Sequence, residues 1–429
     1  ISLGHGTRAQ TVAQGVPQIF ERSTVMRILF VLDRVENPAS ANAQLACRLA
    51  EQLLAQGHEI HLLELWDGEN PPPAPPAGAS QHTLAFADER LMNHALENGA
   101  KAGSPVPLRL LRLAAHPTAV AAAFRQLVLH APRRTVDSRR EMERLDAEFH
   151  FDAVCAVCAP YRTAFALETA QIGGKKLLWQ LDPYASNKDY TAPGGYAREG
   201  QLLQTIDTAF ITPQALPDYE GGPLSSWRGK VQVLGFPVLL PGGPVPAHEG
   251  VRCVFCGSLY PTLREPDFTL ELFTALNAPD LTLTMAGRGW EPFEAAAQRA
   301  QGVLGARFVR PGLLPPEKAA ELESGADILL SLGNAFDNQM PSKLFSYLGT
   351  GKPLLHLAVT DTDPTLPYLA KYPLALVLHK KNGVTPEVVD TLRRWLTDVQ
   401  GQCLPYAQVA ALYPEFTPGV VAQTFIGRI

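Results

Sequence analysis

The stretch RILFVLDRVENPASANAQLACRLAEQLLAQGHEIHLLEL, residues 27–65, decides the fold of the first half of the chain. Arg27 to Leu32 is a continuous apolar run, as expected of a parallel strand covered on both faces. From Ala41 to Gln56 the leucines at 45, 49 and 53 recur every four residues on one helical face, and Gly57 stands where a C-terminal cap belongs. Glu59 to Leu65 reads as the next strand. Strand, loop, helix and strand in that order make a βαβ unit, whose crossover is right-handed. The chain opens like one half of a Rossmann domain.

The rest of the composition fits that opening. A chain of 429 residues exceeds one ordinary core, so two domains of roughly 150 to 200 residues are expected. With 37 basic and 42 acidic residues the formal charge is −5, which gives no overall field to gather nucleic acid or an anionic membrane. The longest apolar runs, such as Ala326 to Leu332, are strand-sized and fall short of a membrane span. Residues 1–25 are polar and irregular, carry no charged-then-apolar signal pattern, and read as a disordered or non-native leader. A cytoplasmic setting is expected, with all six cysteines as thiols. Cys155/Cys158 and Cys253/Cys256 have the gap of a zinc site, but both pairs fall in strand-like runs, where residues three apart face opposite ways. They are expected as buried core thiols, and no metal is expected.

Residues 70–79 (NPPPAPPAGA) read as a surface loop, because proline fixes φ and lacks a donor. Residues 90–147 mix helical stretches with Arg109, Arg112, Arg125, Arg133, Arg134, Arg139 and Arg140. Solvated helix faces are the plain reading, and an acceptor-side or peripheral membrane patch the alternative. Further strands are expected at 153–159, 176–180, 208–211 and 231–234. The proline- and glycine-rich GFPVLLPGGPVPAHEG (235–250) reads as an interdomain linker. A second alternating series follows, with strands at 252–255, 281–286, 306–309, 328–332 and 353–357 and helices between them. The expected domains are 26–238, a linker over 239–250, 251–410, and a terminal helix within 411–429. Two doubly wound α/β domains facing a cleft would bind ligands beyond the carboxyl ends of their strands.

Two elements there suit phosphate. In NQMPSKLFSYLGTGKP (338–353) a polar loop enters a helix with Pro341 in its first turn, and Ser342 and Lys343 add a hydroxyl and a cation. Ser346 shares a face with Ser342. An ordinary amphipathic helix start is the competing reading. Gly257-Ser258-Leu259 follows a strand, with Arg264 placed to fork two phosphate oxygens. Gly287-Arg288-Gly289 also follows a strand, yet Pro292 stands at the third glycine position of a dinucleotide fingerprint and no acidic residue appears about 20 residues on. A dinucleotide oxidoreductase is thereby disfavoured.

FCGSLYPTLREPD, LTMAGRGWE, GADILLSLGN and PSKLFSYLGTGKPLL, in that order, resemble the donor domain of family-four GT-B glycosyltransferases. RILFVL with its helix, KKLLWQLDPYASN and a terminal helix after Pro414 extend the resemblance over most of residues 26–429. It implies a GT-B architecture of two Rossmann-like domains and a nucleotide diphosphate sugar donor. That donor would be held by Gly257, Ser258, Arg264, Gly287, Pro341, Ser342, Lys343 and Ser346. Basic residues and helix dipoles would neutralise the leaving diphosphate without a metal. A glycan or lipid-linked acceptor would enter at Asn37, Ser40 and Asn42 and at Tyr184 and Asn187, and transfer would retain configuration. Relatives carry two donor-domain glutamates where this chain has Asn338 and Ser346, and ENPASAN replaces their glycine-rich loop. Asn338 is the candidate sugar contact and Asp182 the candidate general base. A non-catalytic nucleotide-sugar-binding or partner subunit is the main alternative, and a GT-B-fold epimerase is another.

Overall fold

Strands β1 (Arg27–Asp33), β2 (Glu59–Trp66), β3 (Ser80–Ala85), β4 (Ala153–Cys158), β5 (Lys175–Gln180), β6 (Thr208–Ile211) and β7 (Val231–Val233) form one sheet in the order 3-2-1-4-5-6-7. Strands β8 (Val251–Cys256), β9 (Leu281–Ala286), β10 (Phe308–Val309), β11 (Ile328–Leu332), β12 (Leu354–Ala358) and β13 (Ala375–His379) form a second, in the order 10-9-8-11-12-13. All these pairings are parallel. The computed structural model describes residues 25–33, 40–66, 72–86, 117, 120–121, 133–187, 192–243, 245–335 and 340–429. Of the leader expected over 1–25, all but Val25 lies outside the described residues, as do Arg109, Arg112 and Arg125.

The order of strands fixes where ligands can go. In each sheet the chain departs in opposite directions from a central pair, β1 with β4 and β8 with β11, which opens a crevice beyond their carboxyl ends. At the opposite edge an aspartate fastens one strand to the next: Asp152, Asp207 and Asp327 accept hydrogen bonds from the N–H groups of Arg27 (2.7 Å), Lys176 (2.8 Å) and Arg252 (2.7 Å).

Strands buried on both faces need apolar side chains throughout, and β1, β4 and β11 supply them almost without interruption. The cysteine spacing follows the pleat. Cys155 and Cys256 pack into one hydrophobic cluster, Cys158 into a second and Cys253 into a third, so neither pair converges on a common point. All are free thiols. β3 is an edge strand that the sequence did not announce, since SQHTLA is mostly polar and only half-covered.

The longer helices between the strands are α1 (Ala41–Ala55), α2 (Arg133–Phe149), α3 (Arg162–Thr169), α4 (Gly195–Thr205), α5 (Asp267–Leu276), α6 (Glu294–Leu304), α7 (Pro316–Ser324) and α8 (Ser342–Gly349), and α9 (Pro386–Asp398), α10 (Tyr406–Leu412) and α11 (Pro418–Ile426) follow the last strand. Ser40 caps α1 by accepting from the Ala43 N–H at 3.2 Å. Among the described residues no helix is long and apolar enough to cross a membrane. α2 does not present all its arginines to solvent as the sequence reading had it. Arg134 is buried, ion-paired to Asp33 at 2.5 Å, and Arg144 is held by Glu141 and Glu148. An arginine run at helical spacing brings some of its members inward, which composition alone does not reveal.

The end of the chain returns to the first sheet. Phe425 of α11 stacks between Phe30 and Phe210, with centroids 5.5 and 4.8 Å away. Upstream, Phe416 stacks on Phe345 of α8 at 3.5 Å, and Phe236 packs against both rings. Phe236, Val238 and Leu239 are buried, so the segment read as a linker starts inside this aromatic cluster and reaches the surface only from Leu240.

Candidate functional site

Beyond β8 and β9 two turns pack on each other more closely than side chains would allow. Gly257 donates its N–H to Ala286 O (2.9 Å), Leu259 to Arg288 O (2.9 Å) and Gly287 to Gly312 O (2.8 Å). Gly287 has φ +144, and a Cβ there would stand 1.7 Å from Gly257 O. Only glycine fits. The Gly257 amide, in a turn read from sequence as suited to phosphate, is therefore spent on joining the two turns, and the Gly287 amide on the segment after β10.

Arg264 reaches from this pair of turns to the loop after β11. Its Nη2 and Nε donate to Asn334 Oδ1 (2.7 and 3.2 Å), and Nη1 to the Ser258 carbonyl (3.4 Å). All of these acceptors are neutral, and among the described residues no carboxylate pairs with the guanidinium. Burial depresses its pKa, the signature of a cation short of solvent and counter-charge. Tyr260 senses the same field. Burial pushes its hydroxyl up, but hydrogen bonds with Ser258 and Arg288 and the charges of Arg288 and Arg264 outweigh this and bring it below the usual tyrosine value.

On α8, Pro341 is the N-cap residue and Ser342 the first helical one, a shift of one from the sequence reading. Lys343, expected at the diphosphate, has its Nζ 2.6 Å from Glu323 Oε1 and 5.6 Å from the centre of the Tyr347 ring. The Tyr347 hydroxyl accepts from the Cys256 N–H and donates to the same Glu323 oxygen, each at 3.3 Å. Burial, then the Glu323 charge, pushes the Cys256 thiol up to about 12. Ser342 and Ser346 are half-buried. Asn338 lies outside the described residues.

Asn334, Glu323, Tyr347, Tyr260 and Arg288 were not singled out from the sequence. Asn334 left a trace there, as the polar residue that ends GADILLSLGN. Glu323 left none.

The first sheet carries a second hollow at its own crevice. A cleft of about 890 Å³ beyond β1, β4 and β5 is lined by Ser40, Asn42, Asp182 and Tyr184, all expected on the acceptor side, together with Asp33 and Arg198. Asn42 Nδ2 donates to Ala159 O (2.9 Å), and the Tyr184 hydroxyl to Pro193 O (2.7 Å). Asn187 is buried and does not belong to the lining, and Asn37 is outside the described residues. Beneath the cleft Glu199 accepts from Gln180 (2.8 Å), Tyr219 (3.0 Å) and the Ala185 N–H (3.0 Å), while Tyr161 donates to Asp182 O (2.7 Å).

Solved structures share this two-sheet fold. Sucrose-phosphate synthase from Thermosynechococcus elongatus superposes with a TM-score of 0.60 at 14% identity, over 94% of this chain and 98% of that one. HepE from Anabaena, solved in complex with UDP and glucose, gives 0.56 at 11% identity, over 94% and 98%. The fold is GT-B. A protein assigned as a UDP-N-acetylglucosamine 2-epimerase from Listeria monocytogenes also has the GT-B fold, with a TM-score of 0.53 at 11% identity over 94% and 95%. No protein-family model matches the sequence, and no curated protein matches it.

Proposed function

We propose that this GT-B protein is an enzyme that transfers a sugar from a nucleotide diphosphate sugar, bound at the second sheet, to a glycan or lipid-linked acceptor in the cleft of the first. The observation that carries this reading is Arg264, a guanidinium held in place by the neutral oxygens of Ser258 and Asn334. A partly buried cation fixed by dipoles and lacking a carboxylate is prepared for an anionic ligand, and a diphosphate would supply the missing charge through short, charge-assisted bonds. Lys343, exchanging Glu323 for phosphate, and the first turn of α8 would share the leaving charge, so no metal is needed in this scheme. Asp182, in the wall of the cleft, is the residue we assign to the acceptor hydroxyl, and we assign retention of configuration on the resemblance of the donor segments.

Thermal shift with UDP, GDP and their hexose conjugates tests the donor site. The expected result is a rise in melting temperature with at least one nucleotide, since a ligand at 100 times its Kd adds about 2.7 kcal/mol of stability. Arg264→Ala should remove that rise. If no nucleotide stabilises the protein, the reading fails. If nucleotides bind but neither transfer nor donor hydrolysis occurs with any acceptor, a binding subunit replaces the enzyme.

A further inference from the structure

We propose that the acceptor offers the first-domain cleft a compact apolar ring, the aromatic aglycone of a glycoside whose sugar bears the receiving hydroxyl, in preference to a row of sugar hydroxyls. This rests on the sugar-transfer reading and narrows its acceptor.

Many polar atoms around the cleft are already engaged within the protein. The hydroxyls of Tyr161 and Tyr184 both donate to backbone carbonyls, of Asp182 and Pro193, at 2.7 Å. The Asn42 amide is given to Ala159 O, and the Ser40 hydroxyl is engaged in capping α1. Arg198 forks onto Glu168 and lies over the Phe165 ring, 4.2 Å from its centre. Asp33, Arg162 and Asp182 keep charge in the lining, but the face opposite them is carbon. Tyr161, Tyr184 and Phe165 form an edge-to-face group, with Tyr184 4.9 Å from Tyr161 and 5.6 Å from Phe165, and Pro160 and Pro193 extend the wall.

A row of sugar hydroxyls laid against that carbon face gives up water without recovering its hydrogen bonds there. A flat ring gives up little and gains stacking and edge contacts with the aromatic group. The cleft's volume of about 890 Å³ suits a ring with one attached sugar.

The test compares methyl, phenyl and decyl β-glucosides as probes of the full-length protein, with affinity measured by titration calorimetry in the presence of UDP. The phenyl glucoside should bind at least tenfold more tightly than the methyl glucoside. Phe165→Ala should abolish that preference, and Phe165→Leu, which keeps the packing over Arg198, should reduce it severalfold. Tyr184→Phe should leave it intact, because that hydroxyl is spent on Pro193. Equal affinity for methyl and phenyl probes, no measurable phenyl binding, or tightest binding of the decyl chain each overturns the proposal. UDP binding in the same preparation separates the two levels. If UDP binds in an Arg264-dependent way and the phenyl preference is missing, only the acceptor inference falls. If UDP does not bind, the donor reading falls first.

Discussion

Arg264 and Asn334, 70 residues apart in sequence, are joined by two hydrogen bonds to a single oxygen, and that join spans the crevice where the second sheet reverses its strand order. The amide matters because it orients the guanidinium without neutralising it. Asn334→Asp keeps the shape and supplies an internal counter-ion. Nucleotide affinity should then fall roughly tenfold to a hundredfold, the scale of a charged hydrogen bond, while the melting temperature without ligand holds or rises. Titration calorimetry with UDP, beside a ligand-free melt, checks both halves.

The glycine join between the turns after β8 and β9 predicts a contrast. Gly287→Ala sets a methyl 1.7 Å from Gly257 O at a φ of +144, so the loops must separate, with loss of nucleotide binding and a large drop in stability. Gly302→Ala, in α6 with nothing within 4 Å of the new carbon, should stabilise by about 0.5–1 kcal/mol. Denaturant midpoints of the two variants should move in opposite directions.

A buried polar group in the second sheet predicts a response to acid. His356 bonds Ser331 (3.0 Å) and Asp363 (3.1 Å), and Thr365 donates its hydroxyl to Asp363 at 2.6 Å. Burial alone would raise the Asp363 carboxyl, but the bond and charge of His356 and the two bonds from Thr365 prevail and lower it from 3.8. A carboxyl lowered on folding adds stability that is present above its unfolded pKa and is lost as pH falls through the lower, folded value. Stability should therefore decline as pH drops below about 4. Asp363→Asn should be less stable at neutral pH and should show a shallower decline there, as read from urea midpoints across the acid range.

Thiol chemistry offers a third check on the fold. Cys403 is exposed, Cys47 is partly covered, and the other four cysteines are buried. A disulfide reagent should modify Cys403 quickly under native conditions and reach Cys155, Cys158, Cys253 and Cys256 only when the protein unfolds. Rapid modification of all six would contradict the strand assignments.

Local signals carried far along this chain, and contacts between distant segments did not. β9 and β11 begin and end where the sequence placed them, because their burial is decided by near neighbours. β3 escaped because a polar edge strand has only one neighbour to satisfy. The start of α8 and the Gly257 turn were legible as places. Their use was less so: the Gly257 amide turned out to be occupied, and Lys343 is met by Glu323, a residue on another helix with no mark in the sequence. Asn334 could be named only when the loop bearing it was seen against Arg264.

The return of α11 to the first sheet has a consequence for synthesis. Phe30 and Phe210 leave the ribosome early, yet the ring that fills the space between them belongs to Phe425, roughly two hundred residues later. At about 5–20 residues per second that interval lasts roughly ten to forty seconds. During it the nascent first domain exposes an oily patch that its own chain cannot yet cover, a natural landing place for a ribosome-associated chaperone.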